Sequence, residues 1–180
     1  MKEQKIARGK ATAVALEVCE RLVKENLVQD TFIGGSLKRG QEFVADVDIG
    51  IIPAGVYEGG HAWWAETMKD IHFMLHTPKG MPSDFKSVCG KEILRLWFRE
   101  VQVDIWAAKK YYWGPMCMFI AGSAKLNAIQ RKRAKQQGIL LSNKGIFLLD
   151  GTDLGKFPTE LEVYEYLNWK WIPWHKRNQV

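Results

Sequence analysis

The stretch Phe43-Val44-Ala45-Asp46-Val47-Asp48-Ile49-Gly50-Ile51-Ile52 decides how this sequence is interpreted. Its β-branched and aromatic residues predict a single β-strand over 43–52. Residues two apart in a strand lie on the same face, so Asp46 and Asp48 are expected to present two carboxylates together. An isolated Asp-x-Asp is more often a pair of solvated acids, but divalent cations that share the carboxylate oxygens would offset the repulsion between them.

A glycine-rich segment precedes this strand, with the sequence Gly35-Ser36-Leu37-Lys38-Arg39-Gly40. We interpret Gly34-Gly35-Ser36 as a turn that can direct backbone N–H groups, the Ser36 hydroxyl and the Arg39 guanidinium at a phosphate. The alternative is a simple connection between two strands. That alternative does not explain why a phosphate-binding turn lies so close to two carboxylates of metal-ligand type.

A third acid, Asp104, follows in Val101-Gln102-Val103-Asp104-Ile105-Trp106. The apolar alternation in this segment predicts part of one long β segment over 93–106, with Asp104 on the face opposite the valines. If the two strands are neighbours, three carboxylates converge. Two-metal phosphoryl transfer uses that number, two acids that bridge both ions and a third beside the attacking hydroxyl.

The remaining pattern predicts an α+β protein in which helices pack on a mixed sheet. Apolar periodicity indicates helices over 62–76 and 124–137, and Thr159 and Glu162 have the spacing of a capping box at the start of a final helix. The character of the sequence changes near Trp113, which we interpret as the boundary between lobes at 1–113 and 114–180.

Composition favours a polyanionic partner, because 26 Lys and Arg against 20 Asp and Glu give a net charge of +6 over 180 residues. Charge alone is a weak indication of nucleic-acid binding. The N-terminus lacks the apolar core of a signal peptide, and no apolar run approaches the length that spans a bilayer. We therefore expect a soluble intracellular protein with no membrane contact.

Two histidines one helical turn apart, His72 and His76, have a spacing that can bind a metal ion. The neighbouring Met74 and Leu75 favour packing instead, and no Glu completes an H-E-x-x-H motif. We assign no metal to this pair.

The motifs together resemble the nucleotidyltransferase signature, and specifically the family X DNA polymerases. The resemblance rests on Gly35-Ser36-x-x-Arg39-Gly40, Asp46-x-Asp48 and Val-Asp104-Ile, and it continues in Phe119-Ile120-Ala121-Gly122-Ser123, which is similar to the family's Tyr-Phe-Thr-Gly-Ser segment. Two C-terminal stretches, at 138–147 and 164–173, are also similar to the family. The resemblance implies a catalytic palm over 1–113 and a nucleotide-selecting lobe, called thumb or fingers, over 114–180.

The resemblance also implies roles for individual residues. Asp46, Asp48 and Asp104 would be catalytic and would bind two Mg²⁺ ions, for which Mn²⁺ can substitute. Phe119 and Ile120 would lie against the deoxyribose of the incoming nucleotide. The nucleotide-binding residues would be Gly35, Ser36, Arg39, Phe119, Ile120, Gly122, Ser123 and Asn127, and the DNA-binding residues Lys125, Arg131, Lys132 and Arg133.

The implied activity is a DNA-directed DNA polymerase of gap-filling or repair type, acting as a monomer on primer-template or gapped DNA with deoxynucleoside triphosphates. The alternatives are a nucleotidyltransferase that modifies a tRNA end, a protein or a small molecule, and an inactive DNA-binding module. Three departures from the family stand out. We expect no lyase or helix-hairpin-helix domain before the palm, Phe119-Ile120 replaces a Tyr-Phe pair, and Gln102 replaces an Arg two positions before the third acid.

Overall fold

The computed structural model describes residues 5–54, 62–77, 79–90 and 92–179, with all their side chains except those of 62–65. A five-stranded sheet forms the centre of the first lobe. Its strands are β2 (Val28–Ile33), β4 (Val47–Pro53), β5 (Val88–Cys89), β6 (Ile93–Phe98) and β7 (Val101–Ala107). Their order in the sheet is β2-β4-β7-β6-β5. Strands β4 and β7 are parallel and the other pairs antiparallel, so the predicted mixed sheet of an α+β protein is confirmed.

Helices α1 (Arg8–Lys24) and α3 (Ala62–Leu75) cover one face of this sheet. Alternate residues of the strands, among them Ile49, Val103 and Ile105, are fully buried in one apolar cluster with residues of both helices. Because strand side chains alternate, the residues between them lie on the other face, where Asp48 and Asp104 are found. The core thus holds the acid-bearing face of the sheet in place.

Three predicted elements of the first lobe are corrected by the structure. The strand expected over 43–52 is two strands, because a bend at Ala45-Asp46 separates β3 (Phe43–Val44) from β4, and β3 pairs with the short β1 (Ile6–Ala7). The segment expected as one strand over 93–106 is a hairpin of β6 and β7. The turn expected at Gly34-Gly35-Ser36 opens a four-residue helix, α2 (Gly35–Lys38).

The second lobe has its own apolar cluster, which includes Met118, Leu141, Ile146 and Val163. The capping box predicted at Thr159 is present at the start of its last helix. A helix beginning at Trp113 was not predicted, and the boundary between the lobes at 113 stays a prediction. The elements are α4 (Trp113–Ala121), α5 (Ala124–Gln136), β8 (Ile139–Ser142), β9 (Gly145–Leu148) and α6 (Glu160–Tyr166).

The end of the chain packs back against both lobes. Arg177 is fully buried in the second lobe, where its guanidinium pairs with Glu160 at 2.5 Å. Lys38 of α2 lies 4.0 Å from the ring centroid of Trp174, and Arg39 donates a hydrogen bond to Asn178 at 2.7 Å. The segment 174–178 therefore joins α2 of the first lobe to the second lobe.

Within the described residues, no helix has both the length and the apolar character needed to cross a bilayer.

Candidate active site

A cleft of about 650 Å³ lies between the acid-bearing face of the sheet and helices α2, α4 and α5. It brings together most of the residues that the sequence assigned to nucleotide binding and catalysis. Asp104, Ser123, Lys125, Lys132 and Arg133 do not line it. Its lining comprises Gly35, Ser36, Arg39, Asp46, Asp48, Trp106, Phe119, Ile120, Gly122, Ala124, Asn127 and Arg131.

Two of the predicted acids are held side by side by strand pairing. Asp48 of β4 is directly opposite Asp104 of β7 in the parallel register, and Asp46 precedes β4 in the bend. Burial raises the pKa of Asp48 to about 7, and the negative charges of Asp46 and Asp104 add to the rise. The indole Nε1–H of Trp106, 3.4 Å from Asp48 Oδ1, opposes it. The three acids are therefore close enough to repel one another.

The third acid, Asp104, has a partner that sequence analysis missed. Arg95 lies opposite Asp104 in the antiparallel pairing of β6 and β7 and donates two hydrogen bonds, Nε to Oδ1 at 2.9 Å and Nη2 to Oδ2 at 2.6 Å. Gln102 Nε2 donates a third to Oδ1 at 3.2 Å. Asp104 is 3% exposed, so the bidentate contact with Arg95 fixes the orientation of its carboxylate. A cation beside the third acid is thus present, but on the neighbouring strand instead of at position 102.

The acids suit divalent cations by their chemistry, since carboxylate oxygens are the ligands that Mg²⁺ prefers and the charges of Asp46, Asp48 and Asp104 oppose one another. Within the described part of the chain, however, no three acidic, His or Cys side chains already have a metal-binding arrangement. Protein groups already orient two of these carboxylates, since Arg95 donates a hydrogen bond to Asp104 and Trp106 donates one to Asp48. Their assignment as metal ligands stays a prediction.

Glycine at position 35 allows α2 to approach the acids. Its φ of +60° lies in the left-handed region, and a Cβ there would come within 2.1 Å of Asp48 Oδ2. Any side chain at this position would displace the Asp48 carboxylate. The amide end of α2, including Ser36, therefore borders the same cleft as Asp48.

The predicted phosphate ligand Arg39 lines the cleft and also connects the two lobes. Its Nη1 donates to the carbonyl oxygen of Gly122 at 2.9 Å and its Nε donates to Asn178 Oδ1 at 2.7 Å. Burial lowers the pKa of Arg39, and the negative charges of Asp48 and Asp46 oppose that shift. The guanidinium is therefore held between the acids and the second lobe, and its phosphate role stays a prediction.

The predicted sugar-contacting pair behaves unequally. Phe119 is partly exposed in the cleft, where its ring meets that of Trp106 edge-on at 5.5 Å between centroids. Ile120 is only 5% exposed. Added Cβ atoms at Gly34 and Gly50 would lie 2.9 Å and 2.8 Å from its side chain, so Ile120 packs α4 tightly against the sheet. Contact of either residue with a sugar stays a prediction.

Asn127 and Ser123 organise the start of α5. Ser123 is the N-cap and its Oγ accepts from Leu126 N at 3.1 Å, while Asn127 Nδ2 donates to the carbonyl oxygen of Phe119 at 2.8 Å. A Cβ on Gly122 would lie 2.1 Å from Asn127 Oδ1, so glycine permits this contact. The pair thereby fixes the turn between α4 and α5 at the rim of the cleft.

The predicted DNA-binding residues of α5 do not share one direction. Arg131 lines the cleft and its Nε donates to the carbonyl oxygen of Asn127 at 3.2 Å. Arg133 lies over the ring of Trp169 at 4.9 Å, on the second lobe itself. Lys125 and Lys132 are exposed outside the cleft lining. Arg131 is therefore the member of this group that borders the candidate active site.

Sequence analysis did not identify Trp106, which lines the cleft, or Arg95, which holds Asp104. Trp106 carries a signal that was available, because it lies two residues after Asp104 and therefore on the same strand face. Arg95 carries a weaker one, since its position opposite Asp104 depends on the register of a hairpin that had not been recognised.

Comparison with known proteins places this architecture. Residues 116–178 match the family model of the DNA polymerase beta thumb. A structure of Leishmania infantum polymerase beta in a ternary P/T complex is similar to this chain with a TM-score of 0.78 and 17% identity, covering 97% of this chain and 77% of that one. A ternary gap complex of polymerase beta from the same organism is similar with a TM-score of 0.75 and 16% identity, covering 97% of this chain and 71% of that one. No curated protein matches the chain by its sequence.

Proposed function

We propose that this family X polymerase-like protein is a DNA-directed DNA polymerase that adds deoxynucleotides to a primer 3′-hydroxyl. The observation that carries the proposal is the in-register pairing of Asp48 with Asp104, on strands that face a lobe matching the polymerase beta thumb. Phosphoryl transfer needs little covalent chemistry from the protein and depends on positioning and on charge. The cleft offers both.

DNA is the proposed polymer substrate. The two similar polymerase beta structures are described as ternary primer-template and gap complexes, and this chain carries a net charge of +6. Arg131 borders the cleft on the side of the thumb-like lobe. We therefore propose that Arg131 binds the DNA backbone near the reacting end. Gapped or primed DNA is the substrate to be tested.

In this proposal, different residues in and beside the cleft bind the nucleotide and position the reacting groups. Ser36, the amide end of α2 and Arg39 bind the triphosphate of the nucleotide, and Phe119 supplies an apolar surface beside it. Asp104 lies beside the cleft, next to Asp48, and Arg95 donates hydrogen bonds to both of its carboxylate oxygens. Asp104 can receive the proton of the 3′-hydroxyl only when one of these hydrogen bonds opens. Two Mg²⁺ ions held by Asp46, Asp48 and Asp104 would supply positive charge for the attacking oxygen and for the departing pyrophosphate.

A primer-extension assay tests the proposal, with a primed template, a gapped duplex and a primer without template. Extension that depends on Mg²⁺, stops with EDTA and requires the template is expected. Asp46→Asn, Asp48→Asn and Asp104→Asn should each abolish it. The matched control is Asp70→Asn, the same change at an exposed residue of α3 on the opposite side of the sheet, which should retain activity.

Two results would contradict the proposal. Extension without template that the template does not stimulate would identify a transferase of another kind. Near-normal extension by a folded Asp48→Asn protein would remove the carboxylates from the mechanism.

A further inference from the structure

A second charged cleft lies at the end of the sheet where β6 turns into β7, away from the thumb-like lobe. We call it the tip cleft, and its volume is about 470 Å³. It borders none of the residues assigned to nucleotide binding or catalysis. It is lined by Lys10, Arg21, Thr77, Lys79, Phe98, Arg99 and Glu100.

Three elements contribute its cations. Lys10 and Arg21 are eleven residues apart on α1, which returns them to the same side of the helix about 16 Å apart along its axis. Arg99 comes from the hairpin turn and Lys79 from the segment after α3. The ring of Phe98 lies beneath, with the guanidinium carbons of Arg21 and Arg99 at 5.2 Å and 5.6 Å from its centroid.

The ion pairs of the tip cleft leave an excess of positive charge. Lys10 pairs with Glu100 at 3.0 Å, and Glu17 pairs with both Arg21 and Arg99, at 2.8 Å and 2.6 Å. A hydrogen bond from Arg99 lowers the pKa of Glu17. With Lys79, four cations therefore meet two carboxylates in and around the tip cleft.

The turn between β6 and β7 has an unusual sequence for its backbone. Arg99 and Glu100 are both left-handed, with φ of 48° and 63°, which is unfavourable for residues other than Gly, Asn and Asp. Asn-Gly is the preferred sequence for such a turn. Arg99 and Glu100 instead bring one cation and one acid to the tip cleft, where each forms an ion pair.

We propose that the tip cleft binds the sugar-phosphate backbone of nucleic acid, as a second contact outside the candidate active site. Glu17 already accepts from Arg99 Nε at 2.6 Å and from Arg99 Nη2 at 2.8 Å, so the attraction for phosphate comes from the two positive charges in excess. Cations spread over about 16 Å can meet successive phosphates of one strand. Arg99 lies five residues before Asp104, about 16 Å along the extended chain. The proposal rests on the proposed function only in taking nucleic acid as the ligand.

The test is a binding titration of a fluorescein-labelled DNA duplex, followed by fluorescence anisotropy over a series of salt concentrations. EDTA is present and nucleotide is absent, so synthesis plays no part. The variants are Arg99→Asn, which suits a left-handed backbone, and Lys79→Gln. The control is Lys156→Gln, which removes the same charge from an exposed lysine of the second lobe.

Each tip-cleft variant should weaken binding severalfold and reduce the slope of log K against log salt by about 0.9 for each phosphate that the protein no longer neutralises. The control should change the slope much less. Urea unfolding of Arg99→Asn should show a cooperative transition like that of the parent protein, which separates weaker binding from a disrupted fold.

Affinities and slopes of both variants equal to those of the control would overturn the proposal. A parent protein that fails to extend primers, yet loses DNA affinity on Arg99→Asn, would refute the proposed polymerase activity and support the tip cleft.

Discussion

Removal of the buried cation Arg177 should destabilise the second lobe strongly. Its Nη1 pairs with Glu160 Oε1 at 2.5 Å and its Nε donates to the carbonyl oxygen of Ile172 at 2.9 Å. Glu160 also accepts from the indole N–H groups of Trp171 and Trp174. Arg177→Met leaves the Glu160 carboxylate buried without its cation, which costs about 3–5 kcal/mol. With a urea dependence of about 2 kcal/mol per molar, the unfolding midpoint should fall by roughly 1.5–2.5 M.

The assay is urea unfolding followed by circular dichroism and by tryptophan fluorescence, to which Trp171 and Trp174 contribute among the eight tryptophans of the chain. Lys176→Met is the control, because it removes the same charge from the exposed neighbouring residue. Combining Arg177→Met with Glu160→Gln should recover most of the stability, since no buried charge then lacks its partner and the Gln oxygen can still accept from the indoles. A midpoint for Arg177→Met equal to that of the control would refute the reasoning.

Two further outcomes are expected. Arg95→Gln should slow primer extension on the order of tenfold, because Asp104 loses the group that positions it, and Arg95→Lys should restore part of the rate; unchanged extension with Gln would contradict a positioning role. Burial lowers the pKa of His76, whose neutral Nδ1 accepts from Trp97 N at 3.1 Å. The unfolded chain therefore binds a proton at His76 more readily than the folded protein does. The contribution of His76 to the free energy of unfolding should be constant above pH 6.5 and should fall below it, by at most about 1.4 kcal/mol per pH unit. Urea midpoints measured across pH should fall less steeply below pH 6.5 for His76→Asn than for the parent protein. The control is His175→Gln, a substitution at an exposed histidine. Equally steep falls in the two variants would contradict the assignment.

The features that could be predicted from the sequence are those that depend on short-range patterns. The spacing of Thr159 and Glu162 is enough to specify a capping box, because both hydrogen bonds form within one turn. The alternation around Asp104 is enough to place it on a strand face opposite the core. The neighbouring position of this strand beside that of Asp48 was stated as a condition, and it is confirmed.

The features that could not be predicted depend on long-range context or on unusual local chemistry. The β6–β7 hairpin was missed because its turn, Arg99-Glu100, lacks the Gly or Asn that normally indicates left-handed backbone. Helix α4 was missed because it is apolar on every side and so has no helical period. Its Pro115 lies in the first turn of the helix, where the missing N–H is tolerated.

The parallel pairing of β4 with β7 also has a consequence for how the chain folds. Asp48 and Asp104 are 56 residues apart in sequence, and the segment between them contains α3, β5 and β6. Pairings across so long a loop form slowly, since the entropy of closing the loop is lost before their contacts form. The hairpin of β6 and β7 is local, so the contact of Asp104 with Arg95 should form early in folding. The pairing of Asp104 with Asp48 should form late. Assembly of the acidic pair then marks the completion of the first lobe, and partly folded chains keep the two carboxylates apart.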